Sequence, residues 1–237
     1  MRRNKNRKKK VAVFDVDGTI FRSSLLIEFT EALVLEGVFP ENVREVYSRE
    51  RKRWLERKGS YRKYIMAVVA AFYRNIKGVK EKDFLPVVTK VAAFHRYRLY
   101  RYTRDLMKNL KKRGYFLLAI SHSPTYIARE FGKKIGFDKV YGHFLEMDGE
   151  GRFTGTVLNL DSTDQAIDKA MILRRAVQKE NLTLKGSVGV GDTESDIPFL
   201  KLVEKPICFN PNIELYRTAK KNKWRVVVER KDMIYKL

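Results

Sequence analysis

Val11-Ala12-Val13-Phe14-Asp15-Val16-Asp17-Gly18-Thr19 is the stretch against which the rest of the chain is read. Four apolar residues, two of them β-branched, fit a strand covered on both faces, the pattern of a parallel sheet. Gly18 permits a sharp exit, so two carboxylates and a hydroxyl stand where the strand ends. An Asp-x-Asp spacing puts both side chains on one side of an extended chain, and an ionised pair that close needs a cation or a shared proton. A hard divalent metal meets that need; an acidic strand exit that merely solvates a loop is the plainer alternative.

Two later strands end the same way. Phe116-Leu117-Leu118-Ala119-Ile120 runs into Ser121-His122-Ser123-Pro124, where Ser123 suits a helix N-cap and Pro124 the first helical position. The amides of such a helix point toward the loop, as in phosphate sites, and His122 either meets a substrate or lines the loop. Ser187-Val188-Gly189-Val190-Gly191 runs into Asp192, with Asp196 four residues on. Strand candidates at 206–209 and 224–229 complete an alternating series. The expectation is an α/β fold, a three-layer, Rossmann-like doubly wound parallel sheet, with Asp15, Asp17, Ser121 and Asp192 converging at the carboxyl ends of its strands.

Between the first two strands the pattern is helical over residues 24–113. Leu26, Phe29 and Leu33 form one apolar stripe, and Tyr61, Ile65, Val68, Phe72 and Ile76 another. Breaks near 37–40, 59–60 and Gly78 divide it into about five helices, an inserted helical subdomain. Beyond the second strand come a helix over 126–135, a short strand at 139–141, and a hairpin turning at 146–151 into a strand at 153–157, which together read as a small flap. A helix over 163–179 presents Ile167, Met171, Leu173 and Val177, and carries Lys169, a surface residue or a functional one.

Composition bounds the partners. The formal charge is +22, from 50 Lys and Arg against 28 Asp and Glu. Residues 1–10 hold seven basic side chains and no acid, so the remainder still carries +15. This basic start reads as a disordered tail, either a nucleic-acid or anionic-lipid contact or a solubilising arm. The runs Arg49-Glu50-Arg51-Lys52-Arg53 and Arg96-Tyr97-Arg98-Leu99-Tyr100-Arg101-Tyr102 are solvated helix faces or an anion patch, the second with tyrosines interleaved. The single cysteine, Cys208, excludes an intramolecular disulfide and reads as a core position. Apolar runs such as 67–72 are too short for a membrane span, and a cytosolic location is expected.

Asp15-Val16-Asp17-Gly18-Thr19, Ser121, Lys169 and Gly191-Asp192-Thr193-Glu194-Ser195-Asp196, in that order, resemble the four motifs of the haloacid dehalogenase-like phosphohydrolases. The helical insertion, Ser121-His122-Ser123-Pro124 and the hairpin over 148–155 resemble its phosphoserine phosphatase-like branch. The resemblance implies a catalytic core over 11–22 and 100–237 with a cap over 23–99. It implies a magnesium-dependent phosphatase in which Asp15 is the nucleophile and Asp17 the general acid and base. Thr19, Ser121 and Lys169, with His122 as a further candidate, would bind the phosphorylated substrate. Magnesium would be held by Asp15, the Asp17 carbonyl and Asp192, with Asp196 anchoring Lys169 or a metal-bound water. Phosphoserine phosphatases carry a glutamate where Ser24 stands, which argues against phosphoserine, and the basic cap favours a small anionic metabolite. Phosphoryl transfer to another acceptor, and a nucleic-acid-binding protein with a residual site, are the alternatives.

Overall fold

The computed structural model describes residues 8–158 and 168–237. Strands β1 (Lys9–Phe14), β2 (Phe116–Pro124), β3 (Lys139–Met147), β4 (Phe153–Leu158), β5 (Leu182–Gly191), β6 (Lys205–Phe209), β7 (Arg225–Arg230) and β8 (Met233–Lys236) form one sheet. Their order is β4-β3-β2-β1-β5-β6-β7-β8. The six strands from β3 to β7 in that order are parallel, and the antiparallel hairpins β3–β4 and β7–β8 close the two edges. From β1 the chain moves outward one way through β2 and β3, then returns to lay β5 on the other side of β1. That reversal opens a crevice at the carboxyl ends of β1, β2 and β5, where open parallel sheets bind their ligands.

Helices cover both faces. Ahead of β2 come α1 (Leu25–Leu35), α2 (Glu45–Leu55), α3 (Tyr61–Ile76), α4 (Glu81–His95) and α5 (Arg101–Lys112). They are followed by α6 (Thr125–Ile135), α7 (Lys169–Lys179), α8 (Ile197–Leu200) and α9 (Ile213–Asn222). Alternation along β1 separates two cores, since successive side chains of a strand face opposite ways. Ala12 and Phe14 pack with Phe29, Phe72, Phe84 and Phe131 of α1, α3, α4 and α6. Val11 and Val13 pack with Ile172, Leu173, Phe199 and Leu215 of α7, α8 and α9. Phe84 joins the helical insertion to the sheet side: its ring centroid lies 4.8 Å from Phe29, 4.7 Å from Phe153 on β4 and 5.6 Å from Tyr126 on α6.

Several sequence expectations shift. β1 begins at Lys9, and Lys9 and Lys10 pair with Leu182 and Thr183, so the strand takes in the end of the basic stretch assigned to the tail; residues 1–7 lie outside the described residues. β2 runs through Pro124, which pairs with His143, so α6 starts at Thr125 with Pro124, not Ser123, in the N-cap position. Its extended ψ of 140° holds Pro124 out of the helix. On α3 the inward residues are Tyr64, Val68, Ala71, Phe72 and Ile76, and Tyr61 is exposed. On α7 they are Lys169, Ile172, Leu173 and Ala176, an i, i+3, i+4, i+7 stripe that leaves Met171 and Val177 at the margin. Ile167 and the start expected for this helix lie outside the described residues. β8 had no counterpart in the sequence pattern.

The tyrosines of the second basic run have structural work. Tyr100 and Tyr102 pack on Phe209 at 5.0 and 5.7 Å between centroids, leaving Tyr97 exposed beneath the Arg96 guanidinium at 4.4 Å. Cys208 is a buried core residue, as expected. Among the described residues no helix is long and apolar enough to cross a membrane. Because Phe84 is fully buried where insertion and sheet meet, Phe84→Ala is expected to destabilise the protein by about 3–5 kcal/mol. Urea unfolding followed by circular dichroism measures this, and an unmoved midpoint would mean that the helices pack without reference to the sheet.

Candidate active site

Backbone pairing positions the central carboxylates. The Asp15 amide donates to the Val190 carbonyl at 2.9 Å, so the end of β1 lies beside the end of β5 and Asp15 beside Asp192. The chain then turns sharply, with the Ile20 and Phe21 amides both donating to the Val16 carbonyl. Gly18 makes the turn possible: its φ is +82°, and a Cβ there would lie 2.2 Å from Asp192 Oδ2. Thr19, fully buried, donates through Oγ1 to Asp192 Oδ1 at 3.2 Å, while its own carbonyl accepts from Thr103 Oγ1 at 2.9 Å.

Lys169 is the fixed point of the site. Only 2% exposed, its ammonium donates to Asp15 Oδ1 at 2.5 Å and to Asp196 Oδ1 at 2.6 Å. The stripe that aims Ile172, Leu173 and Ala176 at the sheet aims Lys169 the same way one turn earlier, and Asp168 caps the helix by accepting from the Ala170 and Met171 amides. Asp196 Oδ2 accepts from the Asp192 amide at 2.9 Å and the Thr193 amide at 3.1 Å. One carboxylate therefore folds the turn after β5 and receives the lysine.

Asp17 faces the other loop. Its carboxylate accepts from Ser121 Oγ at 2.7 Å, from Ser123 Oγ at 3.1 Å and from the Leu25 amide at the start of α1. Ser121 Oγ in turn accepts from the Ser123 amide at 2.9 Å. This network ties the end of β1 to the end of β2.

The electrostatics are those of an acid cluster short of positive charge. Burial is the largest influence on Asp15 and lifts its pKa from 3.8 to about 7, although Lys169 pulls the other way. Burial, then Asp15 and Asp196, push Asp192 well above the usual carboxylate range. Asp17 is raised too, chiefly by burial, against the opposing hydrogen bonds of Leu25, Ser121 and Ser123. Burial alone would lower the pKa of Lys169, but Asp15 and Asp196 together outweigh it, and the lysine stays charged. Carboxylate oxygens of Asp15, Asp192 and Asp196 lie within 4.8 Å of one another. Three clustered carboxylates facing one ammonium fit a hard divalent cation: the donors are oxygens, and the raised pKa values of Asp15 and Asp192 record the positive charge their surroundings lack.

All seven site residues expected from the sequence lie at this edge of the sheet, in the last residues of β2 or the turns after β1 and β5, or at the start of α7. Asp15, Thr19, Lys169 and Asp192 are joined in one cluster. Asp17 and Ser121 form a second, neighbouring network, and the Asp17 carboxylate is not among the clustered metal-competent groups. The His122 ring centroid stands 6.1 Å from that of His143. Ser123, read from sequence as a helix cap, is instead a partner of Asp17. His143, on the strand beside Pro124, escaped notice because a lone histidine in an apolar strand carries no spacing signal.

Fold and site together define an α/β protein with a carboxylate and lysine centre at the topological switch point of its sheet. The haloacid dehalogenase-like hydrolase family model matches residues 12–201, and the chain belongs to that family. It is 25% identical over 205 residues to a phosphoserine phosphatase of Archaeoglobus fulgidus, covering 86% of this chain but only 54% of that protein, so the chain spans about half the length of this relative. It is 23% identical over 232 residues to a histidinol-phosphatase of Neisseria meningitidis serogroup C, covering 92% of this chain and 98% of the relative. A solved structure of a phospho-aspartyl intermediate analogue of phosphoserine phosphatase matches with a TM-score of 0.59 at 23% identity, over 95% of this chain and 96% of its own. At that identity the likeness is one of fold.

A carboxyl whose folded pKa is raised contributes stability below its unfolded pKa and loses it as the pH climbs through the folded value. For Asp15 that window runs from 3.8 to about 7. A divalent ion that replaces the proton reverses the loss. Thermal unfolding with excess magnesium chloride, compared with EDTA, is therefore expected to show a larger stabilisation at about pH 8 than at about pH 5. Equal shifts at the two pH values would count against a cation among these carboxylates.

Proposed function

We propose that the chain is a phosphatase that hydrolyses a small anionic phosphomonoester through a phosphate ester of Asp15. The observation that supports this best is the Lys169 ammonium held between Asp15 and Asp196 in a buried pocket of carboxylates at the switch point of the sheet. Lys169 offsets the repulsion between an attacking carboxylate and a phosphate dianion, which is the main barrier to such an attack. An Asp15 oxygen bonds to phosphorus as the bond from phosphorus to the leaving oxygen breaks. Asp17, whose raised pKa suits a group that holds a proton, delivers that proton to the leaving oxygen. In the second half Asp17 takes a proton from the water that attacks phosphorus, freeing Asp15 and inorganic phosphate.

The hydroxyls of Thr19 and Ser121 are suited to receive phosphoryl oxygens beside Lys169, exchanging the carboxylate partners they hold in this structure. Magnesium, held by Asp15, Asp192 and the backbone carbonyl of Asp17, would supply further positive charge to the phosphoryl oxygens. Asp196 buttresses the lysine. The helices over residues 23–99 act as a cap on a core formed by 11–22 and 100–237, and two contacts across that division support the reading. Arg62 on α3 pairs with Glu194 after β5 at 3.6 Å, and the Tyr73 hydroxyl on α3 lies 3.4 Å from His143 on β3.

The buried Ser24 leaves no carboxylate at that position to grip a substrate amine, which supports a substrate other than phosphoserine. The net charge of +22 favours an anionic substrate, and the lone buried cysteine agrees with a cytosolic setting.

Asp15→Asn is expected to lower magnesium-dependent phosphate release by at least about 10³-fold and Asp17→Asn by about 10²-fold or more. Rapid acid quench followed by peptide mass spectrometry should place the transient phosphate on the peptide containing Asp15. A phosphorylated peptide from elsewhere in the chain would overturn the mechanism.

A further inference from the structure

Among the described residues, three buried side-chain polar atoms lack a hydrogen-bond partner: Thr125 Oγ1, the Tyr141 hydroxyl and His143 Nε2. A protein interior seldom leaves such a group unpaired, because its lost contact with water is not made good. Two of the three sit on adjoining segments at the edge of the candidate active site. Tyr141 pairs with Ile120, the residue before Ser121, and His143 pairs with Pro124, so β3 runs beside the end of β2 that holds Ser121 and Ser123. Gly142 allows this approach: a Cβ there would lie 2.6 Å from the Ser123 carbonyl oxygen and 3.0 Å from Thr125 Cα. His143 and Thr125 are only 8% and 3% exposed.

The hydrogen-bonding state of His143 follows from its neighbours. Burial, then the Lys169 ammonium, pull its pKa down to about 4, so the ring is neutral near pH 7. The Tyr73 phenol, kept protonated by burial, stands 3.4 Å from Nδ1, and we take it as the donor of that contact. A neutral ring that accepts at Nδ1 carries its hydrogen on Nε2. With that assignment the unpartnered Nε2 is a donor, and beside it the Thr125 hydroxyl, on the first residue of the eleven-residue α6, is free to donate to an oxygen that the helix field favours. An unmatched donor beside the candidate phosphoryl site calls for an acceptor that the described residues do not supply.

Resting on the phosphatase reading above, we propose that His143 is a substrate contact whose Nε2–H donates to an oxygen of the leaving group. It selects phosphomonoesters that carry a hydroxyl or carboxylate near the ester oxygen. Tyr73 is a positioning residue. It fixes the tautomer, and because it stands on α3 while His143 stands on β3, the contact is completed only when cap and core meet.

The test compares glycerol 3-phosphate, phosphoglycolate and p-nitrophenyl phosphate as substrates for wild type, His143→Leu, His143→Gln and Tyr73→Phe. The first two carry the hydroxyl and carboxylate acceptors separately; the third carries neither next to its ester. In His143→Leu the ratio of kcat/KM for the better acceptor-bearing substrate to that for p-nitrophenyl phosphate should fall about tenfold, mainly through KM. His143→Gln, which can return an N–H to the place of Nε2, should recover most of the ratio, and Tyr73→Phe should lose part of it. Equal losses on all three substrates, or a ratio unchanged in both His143→Leu and Tyr73→Phe, would overturn the proposal. Should His143→Leu not fold, Tyr73→Phe and His143→Gln decide the matter by the same ratio.

Turnover that survives Asp15→Asn would remove the phosphatase mechanism without touching this contact. Calorimetric affinities then decide: the preference of wild type for phosphoglycolate over inorganic phosphate should shrink about tenfold in His143→Leu, and an unchanged preference overturns the assignment.

Discussion

One buried ammonium organises this molecule. Lys169 is shared by Asp15 at the end of β1 and Asp196 beyond β5, and its own helix is held against the sheet by the stripe that begins with it. Three charged groups removed from water are stable together only while each remains matched. Removing one partner from such a buried set strands the others, typically at about 3–5 kcal/mol. The same constraint makes the site reactive: an ammonium that must stay charged lies against a carboxylate whose surroundings otherwise favour its neutral form.

The sheet topology explains why these groups can meet at all. β1 is flanked by β2 and β5, so three loops leave the same edge side by side. Asp15 is anchored by the amide pairing that continues β1 against β5, and Asp17 by hydroxyls at the end of β2. The two aspartates are separated by a single residue but serve different networks, one centred on Lys169 and one on Ser121 and Ser123. Gly18 between Asp17 and Thr19 leaves the space that the Asp192 carboxylate fills.

The helical insertion is bound to the core by both apolar and polar contacts. Phe84 interlocks α4 with α1, α6 and β4, while the polar crossings, Arg62 with Glu194 and Tyr73 with His143, lie nearer the site. The insertion is thus joined to the core by an apolar contact at Phe84 and by polar contacts through Glu194 and His143.

Much of this protein was legible in its sequence. The apolar run 11–14 with Asp15, Asp17 and Gly18 after it, and the repeated ending of strands in Ser121 and Asp192, were enough for a doubly wound sheet and for most of the residues that meet in the candidate site. Those features are local, set by the two-residue period of strands and the turn chemistry that follows them. The facing of α7 was not legible, because an apolar stripe through Met171, Leu173 and Val177 reads as well as the one through Ile172, Leu173 and Ala176, and a lysine beside either reads as surface. Only tertiary packing, by placing two carboxylates where Lys169 would be buried, decided that the charged residue faces inward. His143 and Ser123 were likewise settled by strand register, which brings together residues whose separation in the chain carries no information about their distance in space. Sequence determined which elements form, since that is decided within a few residues, whereas the fold decided which buried charges and donors face each other, since that depends on desolvation and pairing across the whole sheet.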